Sequence, residues 1–158
     1  MPPFDAPEWL TNASDHTKTM YEFWCSKFNR DALPRRADID PLELPRSFLP
    51  CITIVEAVQD ERRYVYRLVG TREVDVRGRD PTGRSVVEGY FGSSSPEEAL
   101  RFYDSVVTSR SPVYNPHPYL SADGRYINEE NLYLPLSDDG KAVNRILVFS
   151  TSVRHPKV

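Results

Sequence analysis

Long apolar runs are missing from this sequence. No stretch approaches the roughly 18 consecutive apolar residues that a membrane-spanning helix needs. The first five residues, from Met1 to Asp5, also lack the basic start and apolar middle of a secretory signal peptide. These absences predict a cytoplasmic protein with no membrane contact.

The sequence also contains few cysteines and histidines, and it has no excess of positive charge. The two cysteines, Cys25 and Cys51, do not form a Cys-x-x-Cys spacing, and the 3 histidines are scattered along 158 residues. This pattern predicts reduced core thiols, and neither a metal site nor a catalytic triad. The 20 basic and 23 acidic side chains give a net charge of −3, which is poor for contacting phosphate backbones, so we predict no nucleic-acid partner.

The N-terminal part of the chain changes from a proline-rich arm to an aromatic helix. Residues 1–14 hold three prolines without periodicity and are predicted to be a flexible arm, followed by one domain over 15–153 and a tail over 154–158. A stripe at helical spacing predicts an amphipathic helix between about residues 15 and 30. Its members are Met20, Tyr21, Trp24, Cys25 and Phe28. The stripe must be covered, either by the rest of the domain or by a second copy of the chain.

The apolar rhythm then becomes extended, with one helical interruption. Residues 51–58 and 64–69 are β-branched and apolar around a short polar turn, which predicts an antiparallel hairpin. A helix begins at Ser95, which can form a capping box with Glu98. Three extended segments follow, at residues 113–120, 126–136 and 145–153, and the second points Leu132, Leu134 and Leu136 inward. The order predicts an α+β fold, a five-stranded antiparallel sheet with helices on one face and an additional N-terminal helix.

This order and four motifs resemble the PAS-domain superfamily, and most closely a bacterial family of short stand-alone PAS-like proteins of the PAS_5 type. The motifs are a Trp-containing N-terminal helix (Trp24), Pro-Arg-x-x-Asp-x-Asp-Pro from Pro34, Tyr-Arg-Leu-Val-Gly-Thr from Tyr66, and Leu-Pro-Leu-Ser-x-Asp-Gly from Leu134. The resemblance covers roughly residues 17–152. It implies an intracellular sensory or interaction module and implies no enzymatic activity, because one scaffold serves many functions.

The resemblance also bears on cofactors. Light-sensing flavin PAS domains carry a reactive cysteine in an Asn-Cys-Arg block, whereas residues 70–94 contain no cysteine. Some haem-binding PAS domains use a histidine of the long helix, whereas residues 97–110 contain no histidine. Flavin and haem are therefore disfavoured, and the sequence identifies no cofactor.

Six side chains are candidates for contact with a ligand. Arg67 interrupts an apolar strand, where it either pairs with Asp38 or Asp40 or recognises a ligand carboxylate or phosphate. Tyrosines in the predicted sheet and long helix offer a flat apolar face with one polar tip, which suits a ligand pocket as well as ordinary core packing. The predicted set is Tyr66, Arg67, Arg84, Tyr103, Tyr114 and Tyr133.

Two patterns that could indicate an enzyme are better explained by a structural role of their residues. The segment from Gly78 to Ser85 has the glycine spacing of a phosphate-binding loop, but it lacks the lysine and the following helix, so we predict a tight turn. Glu129 and Glu130 are neighbours in a strand and therefore face opposite sides of the sheet.

Three functional hypotheses remain at this point. We predict a non-enzymatic sensory domain that binds a small organic molecule and signals to a partner protein in trans. The alternative is a ligand-free interaction module that forms a homodimer through the 15–30 helix. A small enzyme with an unusual site is the third hypothesis.

Overall fold

The computed structural model describes residues 2–90, 95–120 and 122–153; the predicted tail lies outside them. The helices are α1 (Asp15–Cys25), α2 (Thr71–Arg77) and α3 (Pro96–Ser109). The strands are β1 (Ile52–Ala57), β2 (Tyr64–Val69), β3 (Val113–Pro116), β4 (Tyr119–Leu120), β5 (Tyr126–Ile127), β6 (Glu129–Leu136) and β7 (Arg145–Ser152). Short 3-10 helices cover Glu8–Asn12, Arg36–Asp38, Pro41–Glu43 and Arg46–Cys51. Within the described ranges, each helix is too short or too polar to cross a membrane.

Five of these strands form one antiparallel sheet in the order β2-β1-β7-β6-β3, and β4 pairs with β5 separately. The predicted hairpin is β1–β2, and the predicted α+β architecture is confirmed. Strand β3 lies at an edge of the sheet and ends at Pro116. An edge position tolerates proline because no ladder hydrogen bond depends on its missing N–H group. The helix that the sequence begins at Ser95 is α3, where the Ser95 hydroxyl accepts a hydrogen bond from the backbone N–H of Glu98 at 3.3 Å.

The sheet separates two layers, because successive residues of a strand face opposite sides. On one side, Leu132, Leu134 and Leu136 are fully buried, and helix α1 reaches the same strand through Trp24, whose Nε1 donates to the carbonyl oxygen of Pro135 at 3.0 Å. On the other side lie α2 and α3. The inward leucines predicted from the sequence therefore belong to the α1 side of the sheet.

The aromatic stripe of α1 is covered by the same chain. Met20 and Trp24 are completely buried, and Tyr21 is nearly so. The helix begins where the Ser14 hydroxyl accepts a hydrogen bond from the backbone N–H of Thr17 at 3.4 Å. Of the two ways in which the stripe could be covered, the structure therefore shows burial against the rest of the domain.

The residues before α1 are packed onto the domain rather than loose. The Trp9 ring stacks on the ring of Tyr114 with centroids 4.9 Å apart, and the Phe4 ring lies 6.1 Å from that of Trp24. The segment predicted to be a flexible arm therefore lies against the domain in this structure. The rings of Phe4 and Trp9 remove the rim of the α1 layer from water.

A buried carboxylate joins α1 to the sheet. Glu130 is 3% exposed and accepts hydrogen bonds from the Ser14 backbone N–H at 3.1 Å, the Thr17 hydroxyl at 3.0 Å and the Tyr114 hydroxyl. Burial raises the pKa of Glu130, but these donors outweigh it and leave the pKa below the ordinary 4.5. The charge is thus held by neutral donors at the N-terminus of α1, where the helix dipole also favours an anion.

We expect Glu130→Ala to lower the free energy of unfolding by about 2–4 kcal/mol at neutral pH, because three donors lose a charged acceptor inside the protein. The pKa of the folded state lies below that of the unfolded state, so this contribution is complete above about pH 5 and is lost as the pH falls below about 4.5. Urea denaturation at pH 7 and pH 4 measures both effects. The exposed Glu61→Ala serves as control, with an expected change within about 0.5 kcal/mol; an equal loss in both variants would contradict the role of Glu130.

Candidate functional site

A cavity of about 160 Å³ lies between the sheet and the layer formed by α2 and α3. Its walls come from the sheet, from both helices and from the segment that follows α2. The apolar lining residues are Val76, Val86, Ala99, Phe102 and Val148. The polar lining residues include Thr53, Tyr66, Glu73, Arg77, Tyr103, Asn131, Tyr133 and Ser150.

Strand register places the sheet-side residues of this cavity. Asn131 and Tyr133 alternate with the buried leucines of β6 and therefore face α3. On the neighbouring strand, Ser150 pairs with Asn131 and Val148 with Tyr133. The Ser150 hydroxyl donates to Asn131 Oδ1 at 2.7 Å, so this part of the floor is a fixed polar pair.

Three tyrosines, Tyr66, Tyr103 and Tyr133, meet at the cavity. The Tyr103 ring packs edge-on against Tyr133 with centroids 5.4 Å apart, and Phe102 stacks on Tyr133 at 5.5 Å. Burial, followed by the nearby Tyr66, raises the pKa of Tyr103 and of Tyr133. Both phenols therefore stay protonated near neutral pH, and neither hydroxyl forms a hydrogen bond with any residue that the structure describes.

Arg77, the last residue of α2, brings a guanidinium to the same cavity. Its Nη1 donates to the carbonyl oxygen of Gly89 at 2.9 Å, and the guanidinium lies over the ring of Tyr66, 5.0 Å from its centroid. The Nε atom is buried and has no hydrogen-bond partner in the described ranges. An arginine keeps its charge in proteins, so this N–H group needs an acceptor.

The segment that follows α2 packs directly against Tyr66 and Arg77. A Cβ atom at Gly89 would lie 2.8 Å from Tyr66 Cε2 and 2.8 Å from Pro81 Cβ, so only glycine allows this approach. The approach brings the Gly89 carbonyl to Arg77. Arg79 holds the same segment by donating from Nη2 to the Glu88 carbonyl oxygen at 3.1 Å.

Two buried acids of the cavity wall, Glu73 and Glu129, share one cation. Arg72 donates to Glu73 Oε2 at 3.3 Å, to Glu129 Oε2 at 3.1 Å and to the Ser152 hydroxyl at 2.7 Å. Glu129 thus faces the cavity side of β6, while Glu130 faces α1. The opposite orientations predicted for these neighbouring glutamates are confirmed.

The six predicted ligand residues are divided by the structure. Tyr66, Tyr103 and Tyr133 are brought together at the cavity. Tyr114 lies on the α1 side of the sheet, where it stacks on Trp9. Arg84 lies outside the cavity on a turn, with 59% of its side chain exposed and its guanidinium 3.8 Å from Glu88.

Arg67 also lies away from the cavity, because the pairing of β1 with β2 contains a β-bulge. Val55 pairs with Tyr66 while Ile54 pairs with Leu68, so Arg67 is the extra residue. A bulge turns the extra side chain away from the regular alternation. The side chain of Arg67 is 43% exposed and donates from Nε to Glu56 at 2.7 Å.

The prediction that Arg67 pairs with Asp38 or Asp40 was wrong. The Asp38 carboxylate pairs with Arg35 at 3.0 Å, and the Asp40 carboxylate accepts a hydrogen bond from the backbone N–H of Leu42. Both acids satisfy donors within their own proline-rich segment. The local hydrogen bonds therefore leave no need for a contact with the sheet.

Sequence reasoning missed Arg77, Asn131 and Ser150. Asn131 was detectable, because it alternates with the leucines of β6 and must face the side opposite to them. Arg77 gave a weaker signal, a cation directly before the glycine that ends α2. Its approach to Tyr66 depends on the path of the following segment, which no local pattern specifies.

Thiol chemistry with a flavin needs a cysteine at the cavity, and the residues present do not fit it. Neither Cys25 nor Cys51 lines the cavity that the described residues form. Burial raises the pKa of both thiols, which keeps them protonated. Within the described ranges, no group of three His, Cys, Asp or Glu side chains has an arrangement that could hold a metal ion.

Comparisons with known proteins agree with this architecture. The PAS_5 family, described as a PAS domain, matches residues 12–149. The PAS domain of BvgS from Bordetella pertussis is similar at 16% identity over 74% of this chain and 89% of that chain, with a TM-score of 0.53. The dark structure of the blue-light photoreceptor Aureochrome1 LOV is similar at 11% identity over 73% of this chain and 84% of that chain, with a TM-score of 0.54. No curated protein matched the chain. At such identities the structural likeness concerns the fold alone.

Proposed function

The chain belongs to the PAS_5 family of PAS domains, and we propose that it senses a small organic molecule bound in the cavity beside Tyr66, Tyr103 and Tyr133. PAS domains are generally sensory rather than catalytic. For this one we propose ligand binding without enzymatic activity, a cytoplasmic location, and a signal passed to a partner protein.

The observation that supports this proposal is the cavity of about 160 Å³ with one buried N–H group in its wall, Arg77 Nε, that has no acceptor among the described residues. Protein interiors are close-packed, and voids larger than a water molecule are few. A buried polar group without a partner costs about 1–3 kcal/mol. A bound molecule would fill the space and pair this group. A cavity of about 150 Å³ is enough for one benzene ring, so the ligand is small.

We expect a ligand of this cavity to stabilise the purified chain measurably. At a concentration of 100 times its dissociation constant it adds about 2.7 kcal/mol to the free energy of unfolding, which is roughly 5–10 °C in melting temperature. Native mass spectrometry of the purified chain, followed by a thermal-shift screen of small acids, amines, amides and alcohols, tests this expectation.

The matched control for this screen fills the cavity. Ala99 lies on α3 at the cavity wall, so Ala99→Phe should abolish the shift, whereas Ala37→Phe at an exposed position should preserve it. No retained molecule and no shift above about 2 °C across the screen would count against the proposed function. A shift that persists in Ala99→Phe would place the ligand elsewhere.

No observation favours the homodimer as a second function. The hypothesis depended on the apolar stripe of the 15–30 helix, and Met20 and Trp24 of that stripe are completely buried within one chain. An interface formed by the same side chains would require α1 to leave the sheet. The dimer remains a prediction from the sequence.

A further inference from the structure

We propose that the ligand is a small carboxylate, held by Arg77 and by the hydroxyls of Tyr103 and Tyr133. This inference rests on the proposed function, because it assigns a chemical class to the ligand of the same cavity.

One N–H group of the Arg77 guanidinium is buried in the cavity wall without an acceptor among the described residues. Nη1 is occupied by the carbonyl oxygen of Gly89, and one face of the group lies over Tyr66. Nε has no hydrogen-bond partner in the described ranges, while the rest of the guanidinium also interacts with the Tyr66 side chain. The Nε–Nη2 edge of an arginine carries two parallel N–H groups, which match the two oxygens of a carboxylate.

Among the described residues that line the cavity, Arg77 carries the positive charge, and the acids are Glu73, Glu98 and Glu129. The neighbouring acids Glu73 and Glu129 both lie within ion-pair distance of Arg72, at 3.3 and 3.1 Å. Glu73 interacts with Arg77 electrostatically, but no described carboxylate lies within ion-pair distance of the Arg77 guanidinium. A partly buried cation without direct contact to an anion is unfavourable, and a ligand carboxylate would supply that contact.

The aromatic rings of the cavity are arranged poorly for a ligand cation. A cation site needs open ring faces, but one face of Tyr66 is covered by Arg77 and one face of Tyr133 by Phe102. A cation next to Tyr66 would also meet the positive charge of Arg77. The same rings offer hydrogen-bond donors, because Tyr103 and Tyr133 remain protonated.

The remaining lining residues suit the body of a small acid. Val76, Val86 and Val148 provide apolar contact, while the Ser150 and Asn131 pair allows a polar substituent at the floor. The geometry therefore separates a charged end at Arg77 from a mixed environment around the rest of the molecule.

Matched acids and amides test the assignment. Isothermal titration calorimetry of the full chain measures the affinities of benzoate, benzamide and benzylamine, and of propionate and propionamide. Within each series the ligands have nearly the same shape and differ in charge. We expect at least one acid to bind about 10-fold or more tightly than its amide and benzylamine to bind least, because hydrogen bonds to charged groups are worth about one to two powers of ten.

Arginine variants show whether Arg77 causes the preference. Arg77→Gln should weaken the acid about 10-fold to 100-fold and change the amide by less than about 3-fold. Arg84→Gln, which removes the same charge outside the cavity, should leave both affinities unchanged. If Arg77→Gln does not fold, Arg77→Lys and Tyr103→Phe test the assignment instead. Each should reduce the difference in affinity between the acid and its amide.

Several results would overturn the carboxylate assignment. An amide or benzylamine that binds as tightly as the acids would do so, as would a preference for acids that survives in Arg77→Gln. If an amide or an amine binds and this binding is lost in Ala99→Phe, the proposed function would still be upheld. If neither acid binds, the carboxylate assignment is wrong, and the broader screen with Ala99→Phe tests the proposed function separately.

Discussion

Replacing Gly70 by alanine is expected to lower the free energy of unfolding by more than about 3 kcal/mol, because the added methyl group overlaps the backbone. A Cβ atom there would lie 2.2 Å from the carbonyl oxygen of Pro50 and 2.9 Å from that of Ile52. The Gly70 N–H group donates to the same Ile52 oxygen at 2.9 Å. Relief of the overlap would therefore separate the start of β1 from the end of β2.

Gly83→Ala is the matched control, because it isolates the other reason for a glycine. No atom lies within 4 Å of a Cβ built at Gly83, but its φ of +86° strains an alanine. Gly70 has the opposite combination, a φ of −64° that any residue adopts and no space. We expect a loss of about 1–2 kcal/mol for Gly83→Ala in urea denaturation. A smaller loss for Gly70→Ala than for Gly83→Ala would show that the backbone at Pro50 can move aside.

The second large effect is expected at Trp24. Trp24→Ala should cost about 3–5 kcal/mol, because it removes a fully buried indole. The indole ring packs edge-on against Phe28 at 4.8 Å, and its Nε1 is the donor to the Pro135 carbonyl oxygen. The substitution therefore creates a cavity beneath α1 and leaves the Pro135 carbonyl oxygen of β6 without its donor.

Two further variants separate these contributions. Trp24→Phe keeps most of the apolar contact and loses the hydrogen bond, so we expect about 1–3 kcal/mol. The exposed Glu22→Ala on the same helix should change the free energy by less than about 0.5 kcal/mol. Chemical denaturation followed by circular dichroism measures all three variants. A loss below about 1 kcal/mol for Trp24→Ala would mean that α1 contributes little to the folded domain.

Local chemistry made most of the secondary structure predictable. The β1–β2 hairpin follows from two β-branched runs around a polar turn, and the start of α3 from Ser95 before a proline. Pro116 correctly indicated an edge strand, because a missing N–H group acts at its own position. In each case the deciding interaction lies within a few residues along the chain.

The cavity could be predicted only in part. Tyr66, Tyr103 and Tyr133 were identified from their position in the fold order, and the structure brings them together. Tyr114, which has the same side chain, lies on the other side of the sheet. Residue type alone does not distinguish them, because a tyrosine suits a packed core as well as a pocket.

The amino-acid sequence by itself determined where strands and helices form and which face of each is apolar. Only the tertiary structure decided what covers each face: α1 covers the leucines of β6, and α2 with α3 leaves a cavity over Asn131 and Tyr133. It also decided that a bulge turns Arg67 outward and that Arg77 reaches Tyr66. The physical reason is that hydrophobic periodicity reports burial, whereas the identity of the covering element depends on contacts between residues far apart in the chain.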